Sequence, residues 1–181
     1  MRDVDLFQLA LGLVPPWMVK ACQFDAAKKR LDIEINFTTG GRFACPDCKK
    51  ADCPTHDTVM KAWRHLDFFQ HQAFLHARTP RIKCDSCGVR LVEVPWARPG
   101  SGFTLLFEAL TMTLVTHMPV AAVARLVGEH DTRLWRVIIH YVEAALARLD
   151  LSDLARVCID ETAAKRGHSH LTLFVHMDRR Q

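Results

Sequence analysis

The sequence predicts an α+β, multi-domain protein, and three observations support this class. Two C-x-x-C pairs, Cys45 with Cys48 and Cys84 with Cys87, enclose a stretch rich in β-branched and aromatic residues. A segment rich in proline and glycine follows, and beyond it apolar residues recur at helical spacing. Two short apolar segments then end the chain. We therefore expect an N-terminal helix and β-hairpin at 1–40, a β-rich domain at 41–95, a linker at 96–102, a helical domain at 103–150 and the start of a further domain at 151–181.

The two C-x-x-C pairs are typical of a structural zinc site. Two thiolates on one tight turn can reach the same ion, so two such turns supply four sulfur ligands, here Cys45, Cys48, Cys84 and Cys87. The 35 residues between Cys48 and Cys84 exceed the usual gap of a zinc ribbon, and an inserted β-hairpin would account for them. Cys53 or His56 could replace one ligand or add a second partial site.

Other interpretations of the cysteines are a disulfide framework and a thioredoxin-like redox motif. A disulfide framework suits small secreted chains, but the first residues carry two acids and lack the apolar core of a signal peptide, which favours a reducing cytoplasm. A redox motif needs one C-x-x-C near a βαβ pattern, and neither pair here precedes a helical pattern. Cys22 and Cys158 are predicted to be small buried hydrophobes in strands.

Composition and charge narrow the class of protein further. The 181 residues are 49% hydrophobic and 24% charged, which is ordinary for a globular chain. No apolar run approaches the roughly 20 residues of a membrane-spanning helix, so no membrane partner is expected. From 42 to 98 there are ten Lys and Arg against six Asp and Glu. This excess of positive charge equals the net charge of the whole chain, +4. This excess predicts either a phosphate-binding surface or a solvated face.

The N-terminal half has the patterns of one helix and several strands. A short helix is predicted at 4–14, ended by two prolines, and strands at 17–25 and 31–37 form a hairpin. Further strands are predicted at 59–66, 73–83 and 89–94. Four basic residues along these strands, with aromatic neighbours, are candidates for nucleic-acid contact, although the aromatic residues could equally be core: Arg64, Arg78, Arg81 and Lys83.

The helical domain has the pattern of a helix-turn-helix. A helix at 103–118 precedes a short helix at 120–127, and Gly128 ends the short helix. Asp131 caps a longer helix from 132 to about 149. In a helix-turn-helix the second helix enters the major groove, and its N-terminal residues contact base edges. The outward residues are expected to be Thr132, Arg133, Arg136 and His140, while Leu134, Val137, Ile138 and Tyr141 pack inward. A plain antiparallel helical hairpin is the alternative.

The last segments carry acidic residues. Asp160 and Glu161 end an apolar strand that begins near 156, and a second strand follows at 171–177 after the turn-rich residues 165–169. An acid at the end of a buried strand is how nuclease-like folds present a carboxylate to a divalent metal. The alternative is a solvated strand end.

The order of these parts resembles the ISL3 family of insertion-sequence transposases. The resemblance covers nearly the whole chain and lies in the segments CPDC, PRIKCDSC, MPVAAVARLVGEHDTRLWRV and IDET. It implies a zinc-finger domain, a helix-turn-helix and the first two strands of a ribonuclease-H-like DDE catalytic domain. It also implies that Asp160 is the first acid of the DDE triad, with Mg²⁺ needed only by a complete catalytic domain. His176 occupies a place where relatives often carry an aspartate.

The resemblance implies a DNA-binding N-terminal part of a transposase that recognises terminal inverted repeats in the bacterial cytoplasm, at the nucleoid. The rest of the triad is expected beyond Gln181, so we expect a catalytically incomplete chain, and a homo-oligomer is compatible with this role. One alternative is a stand-alone zinc-containing DNA-binding regulator or domesticated transposase fragment. Another is a zinc-stabilised protein-interaction module without a DNA role.

Overall fold

A computed structural model describes residues 2–152, 154–163 and 170–177. The chain divides between Ile138 and Ile139 into two compact units. The elements follow in the order α1 Asp3–Ala10, β1 Trp17–Asp25, β2 Arg30–Phe37, β3 Arg42–Phe43, β4 Cys53–Arg64, β5 Gln72–Cys84, β6 Gly88–Leu91, α2 Leu105–Val115, α3 Val120–Val127, α4 Asp131–Leu146, β7 Val157–Ala163 and β8 His170–His176. Every helix in these ranges is too short or too polar to span a bilayer.

The first unit is built on a six-stranded sheet with β5 at its centre. Strand β4 pairs antiparallel with one edge of β5. Two strands share the other edge of β5: β2 pairs in parallel with residues 72–77, and β6 pairs antiparallel with residues 81–84. Strand β1 pairs with β2 as the predicted hairpin, and β3 pairs with β4. The hairpin at 1–40 and the segment 41–95 therefore share one sheet, and the predicted boundary near residue 40 lies inside it.

Alternating side chains give this sheet one buried face. In β2 the residues Leu31, Ile33 and Ile35 are at most 2% exposed, as the period-two pattern predicts. Ala73, Leu75 and Ala77 of the neighbouring β5 continue the same buried face. Burying these aliphatic side chains supplies the main stabilisation of the unit, at about 1.5–3 kcal/mol for each large one.

An aromatic cluster joins the predicted linker to the sheet. Trp96 is 8% exposed, and its ring centroid lies 5.0 Å from that of Trp17 and 5.6 Å from that of Trp63. At the end of β4, Arg64 N–H donates to the Gly102 carbonyl at 2.9 Å, and Thr104 N–H donates to the Arg64 carbonyl at 3.0 Å. The segment at 96–102 is thus attached to the sheet along much of its length.

Helices α1 and α2 differ from their predicted bounds. Helix α1 ends at Ala10 rather than 14, because Gly12 follows with φ of 61° and breaks the helical path. Helix α2 begins after its N-cap Thr104, whose hydroxyl accepts from Phe107 N–H. Its buried residues are Phe107, Glu108 and Thr111, whereas the apolar side chains of Leu106 and Leu110 are exposed.

Glu108 is buried because its partners come from the segment before the helix. Its carboxylate accepts from Arg98 Nε at 3.0 Å and from the Ser101 hydroxyl at 2.5 Å, while the side chain itself is 0% exposed. A buried carboxylate is stable when charge and hydrogen bonds compensate its lost hydration. The helix periodicity alone does not reveal this pairing.

The second unit contains the antiparallel pair β7–β8, in which Asp160 lies opposite Leu173. Every residue of β7 is exposed, including Ile159 at 63%. The expectation of a buried Cys158 is therefore wrong, and Asp160 and Glu161 lie on an exposed strand, which agrees with the alternative of a solvated strand end. Two strands alone cannot cover both of their faces. The turn predicted at 165–169 lies outside the described residues.

Candidate metal centre and nucleic-acid interface

The four predicted zinc ligands meet at one end of the six-stranded sheet. Cys45 and Cys48 lie in the turn after β3, Cys84 ends β5, and Cys87 lies in the turn before β6. Their sulfur atoms all lie within 4.8 Å of one another, and Cys48 Sγ is 3.6 Å from Cys84 Sγ. Tetrahedral zinc with Zn–S bonds of about 2.3 Å needs sulfurs about 3.8 Å apart, so the cluster has the dimensions of a four-thiolate site.

Backbone geometry positions the sulfurs. Cys45 N–H donates to the Lys50 carbonyl at 2.8 Å, and Lys49 N–H donates back to the Cys45 carbonyl at 3.0 Å, which closes the first turn. In the second turn the backbone N–H groups of Cys87 and Ser86 lower the pKa of the Cys84 thiol to about 6. A lowered pKa favours the thiolate, which is the form that binds zinc.

Cys53 and His56 lie outside this four-sulfur group. Cys53 is buried, and its thiol faces the Lys50 carbonyl at 3.5 Å and the Ala51 carbonyl at 3.9 Å. His56 is exposed on β4. Within the described residues, the cluster of candidate metal ligands consists of the two C-x-x-C pairs. The four-cysteine cluster and its sheet thus form a zinc-ribbon region suited to structural zinc.

The helix-turn-helix follows from three local features. Helix α3 ends at Gly128, whose φ of 67° is the left-handed conformation that glycine adopts without strain. Helix α4 starts at Asp131, one residue before the predicted start, and the Asp131 carboxylate accepts from Thr132 N–H at 2.7 Å. Val123 of α3 and Leu134 and Val137 of α4 are at most 1% exposed. Burial of Leu134 and Val137 holds α4 in place through its inner face and leaves its opposite face to solvent.

The residues predicted to face DNA from α4 fall into two groups. Thr132, Arg136 and His140 are exposed. Arg133 is half-buried: its guanidinium pairs with Glu129 and lies 4.4 Å over the Phe103 ring. Arg133 is therefore held in one place at the start of the helix, whereas Arg136 extends into solvent.

Arg64 is inaccessible to DNA in this structure. The side chain is 1% exposed, and its guanidinium lies 5.4 Å from the Phe74 ring centroid and 5.2 Å from that of Phe107. It pairs with Asp67, and its Nε lies 3.7 Å from Glu129 Oε1. A guanidinium in this position packs the sheet against the helices instead of offering donors to a phosphate.

Glu129 is a residue that sequence reasoning missed. Its carboxylate, 7% exposed, faces both Arg64 of the sheet and Arg133 of α4. The spacing of four residues between Glu129 and Arg133 is a recognised helical ion-pair spacing and could have revealed half of this arrangement. The contact to Arg64 depends on a residue 65 positions earlier in the chain, which no local pattern indicates.

The remaining basic residues on β5 are all exposed but have different surroundings. Arg81 forms a two-point ion pair with Asp57, with Nε 2.6 Å from Oδ1. Arg78 donates to the neutral Thr58 hydroxyl at 3.3 Å. Lys83 is exposed on the segment that leads into Cys84. An arginine already paired with a carboxylate is a weaker candidate for phosphate than one without an acidic partner.

Asp160, the predicted catalytic acid, lies exposed on β7, and its carboxylate accepts from Glu161 N–H at 2.8 Å. The described residues place no further acidic side chains with it in a cluster of three or more candidate metal ligands. The side chain of His176 lies outside the described part of the chain.

These parts define a class of protein: a DNA-binding protein with a zinc-ribbon region and a helix-turn-helix. The zinc-finger model of the transposases of IS204, IS1001, IS1096 and IS1165 matches residues 41–87, and the helix-turn-helix model of transposase family ISL3 matches residues 92–142. The chain belongs to the ISL3 family of transposases and corresponds to the N-terminal portion of such a protein.

Individual relatives agree with this assignment. The chain is 30% identical to the transposase of insertion sequence IS1557 from Mycobacterium tuberculosis H37Rv, over 98% of the chain and 41% of that relative. It is 26% identical to the transposase of IS1001 from Bordetella parapertussis, over 72% of the chain and 32% of that relative. The chain thus spans about two fifths of the IS1557 transposase. No solved structure matches it at a significant level.

Proposed function

We propose that this chain is the DNA-recognising part of a DDE transposase and that it binds the terminal inverted repeats of its insertion element. The observation that carries the proposal is the solvent-facing side of α4, held by a buried inner face and a glycine turn. The family of the chain supports the same role. A protein with this role acts on chromosomal DNA, so we place it in the bacterial cytoplasm, at the nucleoid.

Helix α4 would contact bases through its N-terminal half. Thr132 and Arg136 are four residues apart and therefore share one helix face, and His140 extends that face by another turn. An arginine in the major groove can donate two hydrogen bonds to guanine O6 and N7, which is worth about 1–3 kcal/mol of discrimination. Arg136 is the residue best placed for such a contact, because its side chain is exposed.

Arg133 would have a different part in the same interface. Glu129 and the Phe103 ring restrict its guanidinium, so little side-chain entropy remains to be lost when DNA binds. The donors that do not face Glu129 would contact a phosphate or a base edge near the start of α4. Zinc, held by Cys45, Cys48, Cys84 and Cys87, would supply structural stability to the sheet and no chemistry.

Asp160 would act only in a complete catalytic domain. There its carboxylate would be one ligand of a divalent cation such as Mg²⁺, which activates a hydroxyl for attack on a phosphodiester. A site of that kind needs further carboxylates, and we assign no cleavage activity to Asp160 with Glu161 alone. Since an insertion element has two ends, we also propose that two copies of the protein act together.

The test is a binding titration with two duplexes of equal length, one carrying the element end and one a shuffled sequence. Fluorescence anisotropy at several salt concentrations should show tighter binding to the element end at each of them. Arg136→Ala should reduce that preference by about tenfold, which corresponds to losing roughly 1.4 kcal/mol of discrimination.

The matched control is Lys20→Ala, which removes an exposed cation paired with Glu34 at 3.3 Å on the edge strand β1. This variant should keep the full preference for the element end. Equal affinity of the wild-type protein for the two duplexes across the titration would refute recognition of the inverted repeats.

A further inference from the structure

A groove on the zinc-ribbon sheet is lined by two arginines and by no acidic residue. It has a volume of about 530 Å³ and lies between the turn after β2 and the strands β4 and β5. Arg42 and Arg78 supply its positive charge, and Thr58, Asn36 and Thr39 are among its neutral polar groups. A groove with this lining attracts anions.

The two arginines differ from most other cations of the first unit. Many other lysines and arginines of this unit pair with a nearby carboxylate, as in the pairs Lys50–Asp85, Arg81–Asp57, Arg90–Asp47 and Lys20–Glu34. Arg42 instead donates to the Asp52 backbone carbonyl at 2.9 Å, and Arg78 donates to the Thr58 hydroxyl. Among the described residues, neither guanidinium has a carboxylate within 4.0 Å.

The chemistry of the groove fits phosphodiesters. Guanidinium groups donate several hydrogen bonds in one plane, which suits the oxygen pairs of phosphate groups. Two such groups in an open groove that neutral hydroxyls also line can contact phosphates without selecting bases. The groove therefore has the character of a contact to the nucleic-acid backbone.

The position of the groove relates it to the helix-turn-helix. Gln72 and Arg78 are six residues apart on β5, and an even separation places both on the same face of the sheet. Gln72 Nε2 lies 3.5 Å from the Gly128 carbonyl in the helix-turn-helix turn. At about 3.3 Å per residue, Arg78 is about 20 Å along the strand from that contact, roughly the length of six base pairs of duplex.

We propose that the Arg42–Arg78 groove binds the phosphate backbone of the same DNA duplex that α4 contacts. This inference rests on the proposed function, since it takes duplex DNA as the ligand of α4. The groove adds affinity that does not depend on base sequence, and α4 supplies the discrimination between sequences. The zinc site then has a functional consequence, because it holds the sheet that carries the groove.

The experiment measures the salt dependence of binding for Arg42→Ala, Arg78→Ala and Arg81→Ala. The slope of log affinity against log salt concentration should become shallower by about one for each of the first two variants. Their affinity for element-end and shuffled duplexes should fall by the same severalfold factor. Arg81→Ala, three residues along the same strand, should leave the slope unchanged, because Asp57 already neutralises Arg81.

Zinc content and circular dichroism establish that each variant is folded before the slopes are compared. Unchanged slopes for Arg42→Ala and Arg78→Ala, or an equal change for Arg81→Ala, would overturn the proposal that the groove binds DNA.

This test of the groove can fail independently of the test of repeat recognition. If the wild-type protein prefers the element end and the slopes do not change, only the groove is wrong. If it has no preference and the slopes still change as expected, the groove stands and repeat recognition fails.

Discussion

The six-stranded sheet and the β7–β8 pair start from similar sequence patterns and reach opposite degrees of burial. Leu31, Ile33 and Leu75 of the sheet are at most 2% exposed, whereas Ile159 and Phe174 of the pair are 63% and 70% exposed. Both regions have the apolar residues that favour strands. The difference lies in their partners, because the sheet has additional strands and an aromatic cluster against its inner face. Apolar residues therefore predict a strand without predicting that the strand is buried.

The largest expected effect concerns the four-cysteine cluster at the end of the sheet. Replacing Cys45 or Cys84 with serine should lower bound zinc toward zero and unfold the zinc-ribbon region, because metal binding is part of the folding free energy of such domains. Atomic absorption and circular dichroism would measure both quantities.

Cys22→Ser and Cys158→Ser are the matched controls, since neither thiol belongs to the four-sulfur cluster. Both should retain zinc at the wild-type stoichiometry. Equal retention in all four variants would contradict the ligand assignment.

A second test compares one leucine from each region. Leu75→Ala removes a side chain that is 0% exposed and should lower the free energy of unfolding by about 2–5 kcal/mol. Leu173→Ala removes one that is 46% exposed, and its effect should stay within about 0.5 kcal/mol. Urea denaturation followed by far-ultraviolet circular dichroism would measure both effects, because all four tryptophans lie in the first unit and their fluorescence would not report on β8. A cost of several kcal/mol for Leu173→Ala would mean that β8 is covered in solution.

The smallest expected effect is a pH dependence that burial creates in the first unit. Burial lowers the pKa of His65 below its ordinary value of about 6.5, helped by the nearby Arg64 charge, and His65 Nδ1 lies 2.9 Å from the Thr104 hydroxyl. The unfolded chain binds a proton more readily than the folded one, so this contribution is present above about pH 6.5 and is lost as the pH falls below it.

Urea midpoints at about pH 7.5 and about pH 5.5 would show the loss in the wild-type protein. His65→Asn keeps a side-chain amide next to Thr104 but cannot titrate, so its midpoint should fall less between the two pH values. Identical falls in the two proteins would exclude His65 as the source.

The local chemistry of this protein can be predicted from its sequence to a large extent. The predicted strands at 17–25 and 31–37 and the short helix at 120–127 agree with the structure, and so does the glycine turn at Gly128. The four cysteines chosen from the seven are the ones that meet. These features depend on residues within a few positions of each other, whose spacing along the chain already determines which face they share.

The tertiary structure decided which charges are available for binding. Arg64, Arg78 and Arg81 lie on neighbouring strands and were equivalent candidates for DNA contact. Folding buries the first beside Glu129, leaves the second without an acidic partner and pairs the third with Asp57. The parallel pairing of β2 with β5, which joins the N-terminal hairpin to the zinc-ribbon strands, was likewise absent from the pattern. Such contacts join residues 20 or more positions apart, so they depend on strand order and packing rather than on any local repeat.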